Sequence, residues 1–240
     1  MNERGLDISC AQGNNVNFQA LKNAGCTFVI LRAGYGSALK YPNQFDPTFD
    51  RNYREAKKVG LKVGAYWYTY ATTPAGMQEE ARAFCYALKG KQFELPVYMD
   101  LEEQKQFVSS VNTTNLVIAF CDYMERAGYF AGVYCSTFWY TNHVKRETRE
   151  RYACWIADWS TKCSYAGTYG IWQRGTTKIY NSGTGDIDDD VLYIDYTSII
   201  KKKGLNGWPK NVNTEKYCTV QYTIKEKYKK QLDDYVKKLK

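Results

Sequence analysis

The sequence predicts an α/β fold, an irregular TIM-like barrel built from five βα units followed by three strands. Up to residue 136, short apolar runs alternate with segments of helical periodicity. Three further strand-like runs follow, joined by stretches rich in Gly, Thr and Ser. Eight strands are enough to close a barrel, and each of the first four intervals is long enough for the crossover of about a dozen residues that parallel strands need.

Each predicted element has a local reason. The strands combine β-branched and aromatic residues in continuous apolar runs, as buried parallel strands do. The helices have start and stop signals, such as Pro74 in the first turn of the third and Gly25 and Gly60 behind the first two. On these grounds the strands are predicted at 5–11, 26–34, 61–71, 95–102, 129–136, 152–160, 169–175 and 186–195, and the helices at 15–25, 46–60, 74–90 and 112–128.

Composition indicates one large domain with a short appendage. The chain has 240 residues, 44% hydrophobic and 24% charged, which is typical of a globular protein with a sizeable core. We predict a barrel domain over residues 1–200 and a basic C-terminal tail over residues 201–240, whose role the sequence does not define. Its lysines suit either a basic patch that holds the protein near a polyanion or an amphipathic helix with its lysines in solvent. A truncated wall-binding module, a linker and a helix packed on the barrel are also open alternatives.

Charge and hydropathy exclude two classes of partner. The net charge of +8 arises largely from lysine-rich stretches in the tail, so the barrel itself is near neutral. It lacks the basic stripe of a nucleic-acid binder, so no nucleic-acid partner is predicted. No apolar run is long enough to cross a bilayer, so no membrane span is predicted either. The oligomeric state is not readable from the sequence.

Cysteine and histidine usage argues against a metal site. Eight cysteines are scattered without a C-x-x-C pair, and several lie inside apolar segments, so we predict buried free thiols. The single histidine, His143, lies in a polar, charge-rich stretch and is predicted to be a solvated helix residue. With one histidine, a conventional zinc enzyme or a histidine-based nucleophile is disfavoured. No metal and no cofactor are predicted.

Acidic residues stand where several predicted strands leave the barrel. The C-terminal ends of parallel strands form the active face of such barrels. Asp7, Asp100, Asp158 and Asp188 are placed there, with Glu102 two residues beyond Asp100. Successive side chains of a strand alternate between its faces, so Asp100 and Glu102 are expected on the same side, about 6 to 7 Å apart along the strand.

A close pair of carboxyl groups suits glycoside hydrolysis, in which one group stays protonated as the general acid while others stay ionised. Crowding of like charges raises at least one pKa and so supplies the proton donor. Acids at strand ends also cap loops or bind Mg²⁺, and the pattern alone leaves these alternatives open. Glu103 faces the other side and is predicted to be a loop or surface acid.

Aromatic content supports a sugar ligand. The chain has 22 Tyr and 6 Trp, many of them near predicted strand ends, where flat rings could line a glycan groove. Such rings also serve as barrel filling with a bonded polar tip. Tyr66 is the ring for which substrate contact is favoured, because it lies next to the acids. The candidate substrate-binding residues are Tyr66, Tyr68, Tyr134, Trp155, Asp158, Trp172 and Gln173.

Eight short stretches between about residue 5 and residue 196 carry a family resemblance. They are GLDIS, FVILRAGYG, DRNYREAKKVGLKVGAYWY, PVYMDLE, GVYCS, CWIADW, GIWQ and GDIDDDVLY. Together and in this order they resemble the glycoside hydrolase family 25 lysozymes, the Chalaropsis-type N-acetylmuramidases. The resemblance implies a barrel of five βα units and three strands, in agreement with the element count above.

The resemblance also implies roles for particular residues. It makes Glu102 the proton donor to the glycosidic oxygen and gives Asp100 the task of assisting attack by the substrate's own N-acetyl group. Asp7 and Asp188 complete a set of four catalytic carboxylates. The family's V-D-x-N pattern falls on 187–190, where this chain has Asp190 in place of Asn.

The implied function is hydrolysis of the β-1,4 bond between N-acetylmuramic acid and N-acetylglucosamine in peptidoglycan glycan strands. The expected place of action is the bacterial cell wall, which the protein reaches either by secretion or by phage release. The first residues show no apolar core of a signal peptide. One alternative is a barrel that binds wall glycan without cleaving it. Another is Mg²⁺-dependent phosphoryl transfer, which the absence of a G-x-x-x-x-G-K-[ST] motif disfavours.

Overall fold

The computed structural model describes residues 2–178 and 186–210, together with a few isolated positions between 228 and 234. The rest of the predicted tail, including Cys218, lies outside the described residues. The strands are β1 Glu3–Ile8, β2 Phe28–Tyr35, β3 Lys62–Tyr68, β4 Val97–Asp100, β5 Ala131–Ser136, β6 Ala153–Ala157, β7 Ile171–Thr177 and β8 Ile187–Leu192. The α-helices are α1 Phe18–Asn23, α2 Phe49–Lys58, α3 Pro74–Leu88, α4 Ser110–Arg126, α5 Thr137–His143, α6 Arg146–Arg151 and α7 Tyr196–Lys203.

The eight strands form one closed barrel in sequence order. Strands β1 to β7 run parallel to one another. Strand β8 lies between β7 and β1, runs antiparallel to both and closes the ring. The predicted α/β barrel is confirmed, and each of the eight predicted strands overlaps an observed one. The reversed direction of β8 was not foreseen, and it decides which end of that strand reaches the site.

Side-chain caps explain where the main helices begin. Asn17, Thr73 and Ser109 each accept a hydrogen bond from a backbone N–H of the first turn of α1, α3 and α4. Behind α1 and α2, Gly25 and Gly60 adopt φ values of 94° and 74°, which side chains other than glycine rarely tolerate. The helix boundaries predicted from these signals agree with the structure to within a few residues.

The barrel interior is filled by aromatic rings in its lower half. Phe28 and Tyr98 occupy space that two glycines on neighbouring strands leave open. A methyl group at Gly5 would lie 2.5 Å from the Phe28 ring, and one at Gly132 would lie 2.5 Å from the Tyr98 ring. Both rings are fully buried. Any side chain at either glycine would therefore displace the ring that plugs the barrel floor.

A short segment behind β8 packs against the bottom of the barrel. The predicted boundary at residue 200 falls inside α7, and the chain continues to contact the barrel as far as Trp208. Asn206 is fully buried with a φ of 54°, and its side chain donates to Leu95 O at 2.8 Å and accepts from Phe130 N at 2.7 Å. These bonds tie the segment to the loops entering β4 and β5.

Seven cysteines lie in the described part of the chain, and all are free thiols, as predicted. Four are buried: Cys26, Cys121, Cys135 and Cys154.

The single histidine is less exposed than predicted. His143 ends α5, but its ring is half-buried, with its centroid 5.0 Å from that of Trp139 and 5.4 Å from that of Phe107. The helix prediction was right and the solvated side chain was wrong.

None of the helices in the described ranges combines the length and the apolarity that crossing a bilayer requires.

Candidate active site

The candidate site lies at one mouth of the barrel, where acids arrive from three strands. Asp100 is the last residue of β4, and Glu102 follows two residues later. Asp7 lies near the end of β1 and pairs with Asp188 of β8. Because β8 is antiparallel, Asp188 reaches this mouth from the beginning of its strand, not from the end as the sequence analysis assumed.

The structure brings the four predicted catalytic acids into one electrostatic cluster. The negative charges of Asp188 and Glu102 raise the pKa of Asp7. The charges of Glu102 and Asp7 likewise raise the pKa of Asp100, and the charge of Asp188 raises that of Glu102. Each acid thus makes it harder for the others to ionise, which is the condition for keeping a carboxylic proton at neutral pH.

Burial strengthens this effect for the two deepest acids of the four. It is the main cause that raises the pKa of Asp7 from 3.8 to about 8, with Asp188 adding to it and a hydrogen bond from Gln173 opposing it. Burial also raises the pKa of Asp100 well above its ordinary value, and the charge of Glu102 adds to this. The Asp100 atom Oδ1 is buried and has no hydrogen-bond partner among the described residues. This oxygen therefore has unused hydrogen-bonding capacity within the acid cluster.

Glu102 is the accessible acid of the cluster. Its side chain is exposed at the mouth, yet the surrounding protein removes enough water to raise its pKa, and the charges of Glu103 and Asp188 raise it further. Glu103 lies in the loop, as predicted, but it is not separate from the site, because it accepts a hydrogen bond of 2.9 Å from Tyr68 Oη. Burial and this bond raise the pKa of Tyr68.

Gln173 links several predicted site residues. Its Oε1 accepts hydrogen bonds from Tyr134 Oη at 2.9 Å and from Trp159 Nε1 at 3.0 Å. An indole N–H can only donate, so the amide orientation is fixed and Nε2 must face Asp7. Nε2 donates to Asp7 Oδ2 at 2.8 Å. The buried amide therefore holds Asp7 in place.

Aromatic rings form the floor beneath the acids. The buried Trp155 ring packs edge-on against Tyr66 and Tyr98, with centroids 5.8 and 5.3 Å away, and against Tyr134 at 4.5 Å. Its Nε1 donates to Asp190 Oδ1 at 2.8 Å. Burial raises the pKa of the Tyr66 phenol, and the nearby charges of Asp7 and Asp100 raise it further. Tyr66 and Trp155 thus border the acid cluster from below.

Two predicted binding residues lie to the side of the acids. Asp158 accepts hydrogen bonds from Ser160, Ser164 and Thr137, which lower its pKa even though burial alone would raise it. Trp172 points to the opposite face of β7 from Gln173, is buried, and donates from Nε1 to Asp158 O at 2.8 Å. Both residues organise the connection between β6 and β7. Asp158 and Thr137 also line an open cavity of about 560 Å³ beside the mouth.

Sequence reasoning missed several residues that complete the site. Arg32 donates from Nε to Asp46 at 2.9 Å, and its charge lowers the pKa of Asp100 against the dominant effect of burial. A charged residue inside the apolar run 26–34 was the available signal. The exposed Trp159 and the fully buried Asp190 were also missed, because only the folded register brings them to Gln173 and Trp155.

In the part of the chain that the structure describes, no group of three or more His, Cys, Asp or Glu side chains has an arrangement that could hold a metal ion. The acids of the mouth are thus an acid cluster without the geometry of a metal cage.

Carboxyl groups that converge at the mouth of a βα barrel over an aromatic floor are the arrangement that glycoside hydrolases use. Comparison with family models agrees: residues 6–182 match the model described as "Glycosyl hydrolases family 25". The chain therefore belongs to glycosyl hydrolase family 25. The matched region contains Asp7, Asp100 and Glu102, and Asp188 lies beyond it.

Individual relatives are lysozymes and an endolysin. The chain is 29% identical over 190 residues to the autolytic lysozyme of Clostridium acetobutylicum, covering 78% of this chain and 55% of that protein. It is 24% identical over 202 residues to lysozyme M1 of Streptomyces globisporus, covering 77% of this chain and 66% of that protein. The crystal structure of the CTP1L endolysin superposes with a TM-score of 0.71 at 26% identity, covering 84% of this chain and 70% of that one. The chain thus spans between about half and two thirds of the curated relatives it matches.

Proposed function

We propose that this protein is a peptidoglycan hydrolase, a lysozyme that cleaves the β-1,4 bond between N-acetylmuramic acid and N-acetylglucosamine. The observation that carries the proposal is the acid cluster at the barrel mouth, in which an exposed Glu102 with a raised pKa stands beside the buried Asp100. The relatives named as lysozymes support the same substrate. Glycan strands of the bacterial cell wall are the proposed partner, and the wall is the proposed place of action.

Glu102 is the proposed general acid. It is the most exposed member of the cluster, and its raised pKa keeps a proton available for the leaving glycosidic oxygen. After the bond has broken, the ionised Glu102 takes a proton from the incoming water. The same residue thus serves first as the acid and then as the base.

Asp100 is proposed to orient the substrate's N-acetyl group. When Asp100 is ionised, its carboxylate, whose Oδ1 has no partner among the described residues, accepts a hydrogen bond from the acetamido N–H and turns the acetamido oxygen toward the anomeric carbon. Attack by that oxygen, followed by attack of water, gives retention of configuration. Asp7 and Asp188 complete the acidic wall. Positive charge that develops at the anomeric carbon favours their ionised forms and is stabilised by them.

The sharpest test compares wall lysis by the wild type, by Glu102→Gln and by Glu79→Gln. Glu79 is an exposed acid of α3 that does not belong to the acid cluster, so its variant is the matched control. We expect loss of turbidity with the wild type and the control, with and without EDTA, and none with Glu102→Gln. Full lysis by Glu102→Gln would refute the assignment of the general acid, and lysis that EDTA abolishes would indicate a metal-dependent reaction.

The bond cleaved is identified from the products. Cleavage at the proposed bond leaves N-acetylmuramic acid at every new reducing end, which borohydride reduction and mass spectrometry of the released fragments detect. Reduced N-acetylglucosamine instead would contradict the bond assignment. Sedimentation of the protein with walls, without new reducing ends, would indicate the alternative of a non-catalytic glycan-binding barrel.

A further inference from the structure

One buried acid of the barrel has no part in the mechanism above. Asp190 lies on β8 two residues beyond Asp188, so its side chain points to the same interior face, one layer deeper. Its backbone pairs with Gly5 on one side and with Gln173 on the other. The side chain is fully buried. A carboxyl group at such a position either has a charged or donating partner for each oxygen or stays neutral.

The two oxygens of Asp190 have different surroundings. Oδ1 accepts the indole N–H of Trp155 at 2.8 Å, and that group can only donate. Oδ2 is buried and receives no hydrogen bond from any residue that the structure describes. An ionised Asp190 would leave negative charge on Oδ2 without a donor, whereas a proton on Oδ2 removes that charge and turns the atom into a donor.

Asp7 is the acceptor within reach. Gly5 and Asp7 of β1 pair with Asp190 and Asp188 of β8, so the side chains of Asp7 and Asp190 are diagonal neighbours on the interior face and near enough to interact. Two ionised carboxylates would repel each other there, whereas one proton lets them share a hydrogen bond. Asp7 already accepts from Gln173, whose amide orientation is fixed by Tyr134 and Trp159. Asp190 is also the more deeply buried of the two. The proton between them therefore belongs to Asp190.

We propose that Asp190 is a positioning residue: it is held as a neutral carboxylic acid whose O–H donates to Asp7 and fixes the orientation of that carboxyl group. Its importance for catalysis rests on the proposed function, whereas the location of its proton does not. The other titratable groups that face Asp190 are Asp188 on β8, Tyr98 on β4 and Cys26 before β2. None of these is cationic. The indole N–H of Trp155 favours the ionised form, but burial and the charge of Asp7 outweigh it.

The test is a carbon-13 NMR titration of the Asp7 carboxyl in the full chain, with the Asp7 signal assigned by Asp7→Asn. If position 190 holds a neutral donor, Asp190→Asn, whose amide also donates, should leave the pKa of Asp7 unchanged at about 8. Asp190→Ala removes the donor and is expected to raise that pKa. Asp195→Asn makes the same chemical change at the exposed start of α7 and should leave the pKa of Asp7 unmoved.

Opposite signs separate the possibilities. If Asp190 were ionised, Asp190→Asn would remove a negative neighbour and lower the pKa of Asp7, and this result would overturn the proposal. An unchanged pKa of Asp7 in a folded Asp190→Ala would overturn it as well. If Asp190→Ala does not fold, the direction observed with Asp190→Asn still decides.

Activity gives the second readout. Loss of the donor in Asp190→Ala is expected to lower kcat for wall hydrolysis by roughly tenfold or more with little change in KM, while Asp190→Asn stays near the wild-type rate. Equal loss of kcat in both variants would contradict positioning by a donor. A wild type without hydrolytic activity would defeat the proposed function, and the titration would still report where the proton lies.

Discussion

The free energy of unfolding is expected to fall as the pH rises from about 5 to about 7. All four acids of the cluster have raised pKa values in the folded chain, and so does Asp190 below them. The four are Asp7, Asp100, Glu102 and Asp188. A carboxyl group with a raised pKa keeps its proton in the folded state over a pH range in which the unfolded chain has lost it. The folded state then binds more protons than the unfolded state, so its stability decreases with increasing pH.

The magnitude can be worked out for Asp7. Its pKa moves from 3.8 to about 8, mainly because of burial, so between pH 5 and pH 7 the folded chain holds about one extra proton at this residue. Each extra proton corresponds to about 1.4 kcal/mol per pH unit, which gives about 3 kcal/mol over this range. Glu80 adds to the effect, since burial raises its pKa from 4.5 to about 7. Asp158 and Asp195 have lowered pKa values, titrate below this range and do not offset it.

Urea unfolding of the full chain at pH 5, 6 and 7 measures this dependence. Asp7→Asn should reduce the slope by about 1.4 kcal/mol per pH unit, the value of one proton. Asp195→Asn should leave the slope unchanged, because Asp195 is ionised in both states throughout the range. A free energy of unfolding that stays level or increases between pH 5 and pH 7 would refute the assignment of raised pKa values to the cluster.

Three further changes test separate parts of the structure. Asn206→Ala removes two buried hydrogen bonds to backbone atoms and is expected to cost about 3 kcal/mol in urea unfolding; a loss below about 1 kcal/mol would show that the segment after α7 contributes little. Glu103→Gln removes a negative neighbour of Glu102, so the alkaline limb of the pH–activity profile should move to lower pH, and an upward shift would contradict the coupling. Gln173→Leu should lower kcat by roughly tenfold at unchanged KM because Asp7 loses its amide donor, whereas a raised KM alone would make Gln173 a substrate contact.

The order of the strands in the barrel could be predicted because each buried parallel strand is a continuous apolar run in the sequence. Runs such as 26–34 and 129–136 are largely apolar, and each follows a helical segment that ends at a glycine, Gly25 or Gly128. The direction of a strand cannot be predicted in this way, since a buried apolar run has the same composition whether the strand is parallel or antiparallel to its neighbours. The antiparallel course of β8 was therefore invisible, although Asp188 was correctly placed at the mouth.

The role of the segment after β8 stayed open for a different reason, with a helix packed on the barrel as one of several alternatives. Its anchoring rests mainly on Asn206, which has a left-handed backbone conformation and two side-chain hydrogen bonds, and on the indole of Trp208, which donates to Phe93 O. The lysines of 201–203 dominate the local composition and suggest a solvated tail. Composition reports the average environment of a segment, whereas this contact depends on a single side chain meeting backbone atoms more than 75 residues away.

The same limit applies to the partners of the acids. Single residues with unusual chemistry, such as Asp100 and Glu102 at a strand end, can be found by parity and position alone. Their partners cannot, because Gln173 meets Asp7 across 166 residues of sequence and Trp155 meets Asp190 across 35. Only the closed register of the barrel brings these pairs together.

The arrangement of the barrel interior explains how one fold both carries and tunes its acids. Aromatic rings fill the lower layers and exclude water, so the acids above them are buried on one side and open to the mouth on the other. Depth and protonation change together: burial raises the pKa of Asp190, at the bottom, well above its ordinary value, and Glu102, at the opening, has a raised pKa while it remains exposed. A proton donor that a substrate can reach and a neutral acid that it cannot reach follow from the same gradient of burial. Widening the floor, for example at Trp155, should therefore disturb the pKa values of the acids before it disturbs any contact with a glycan.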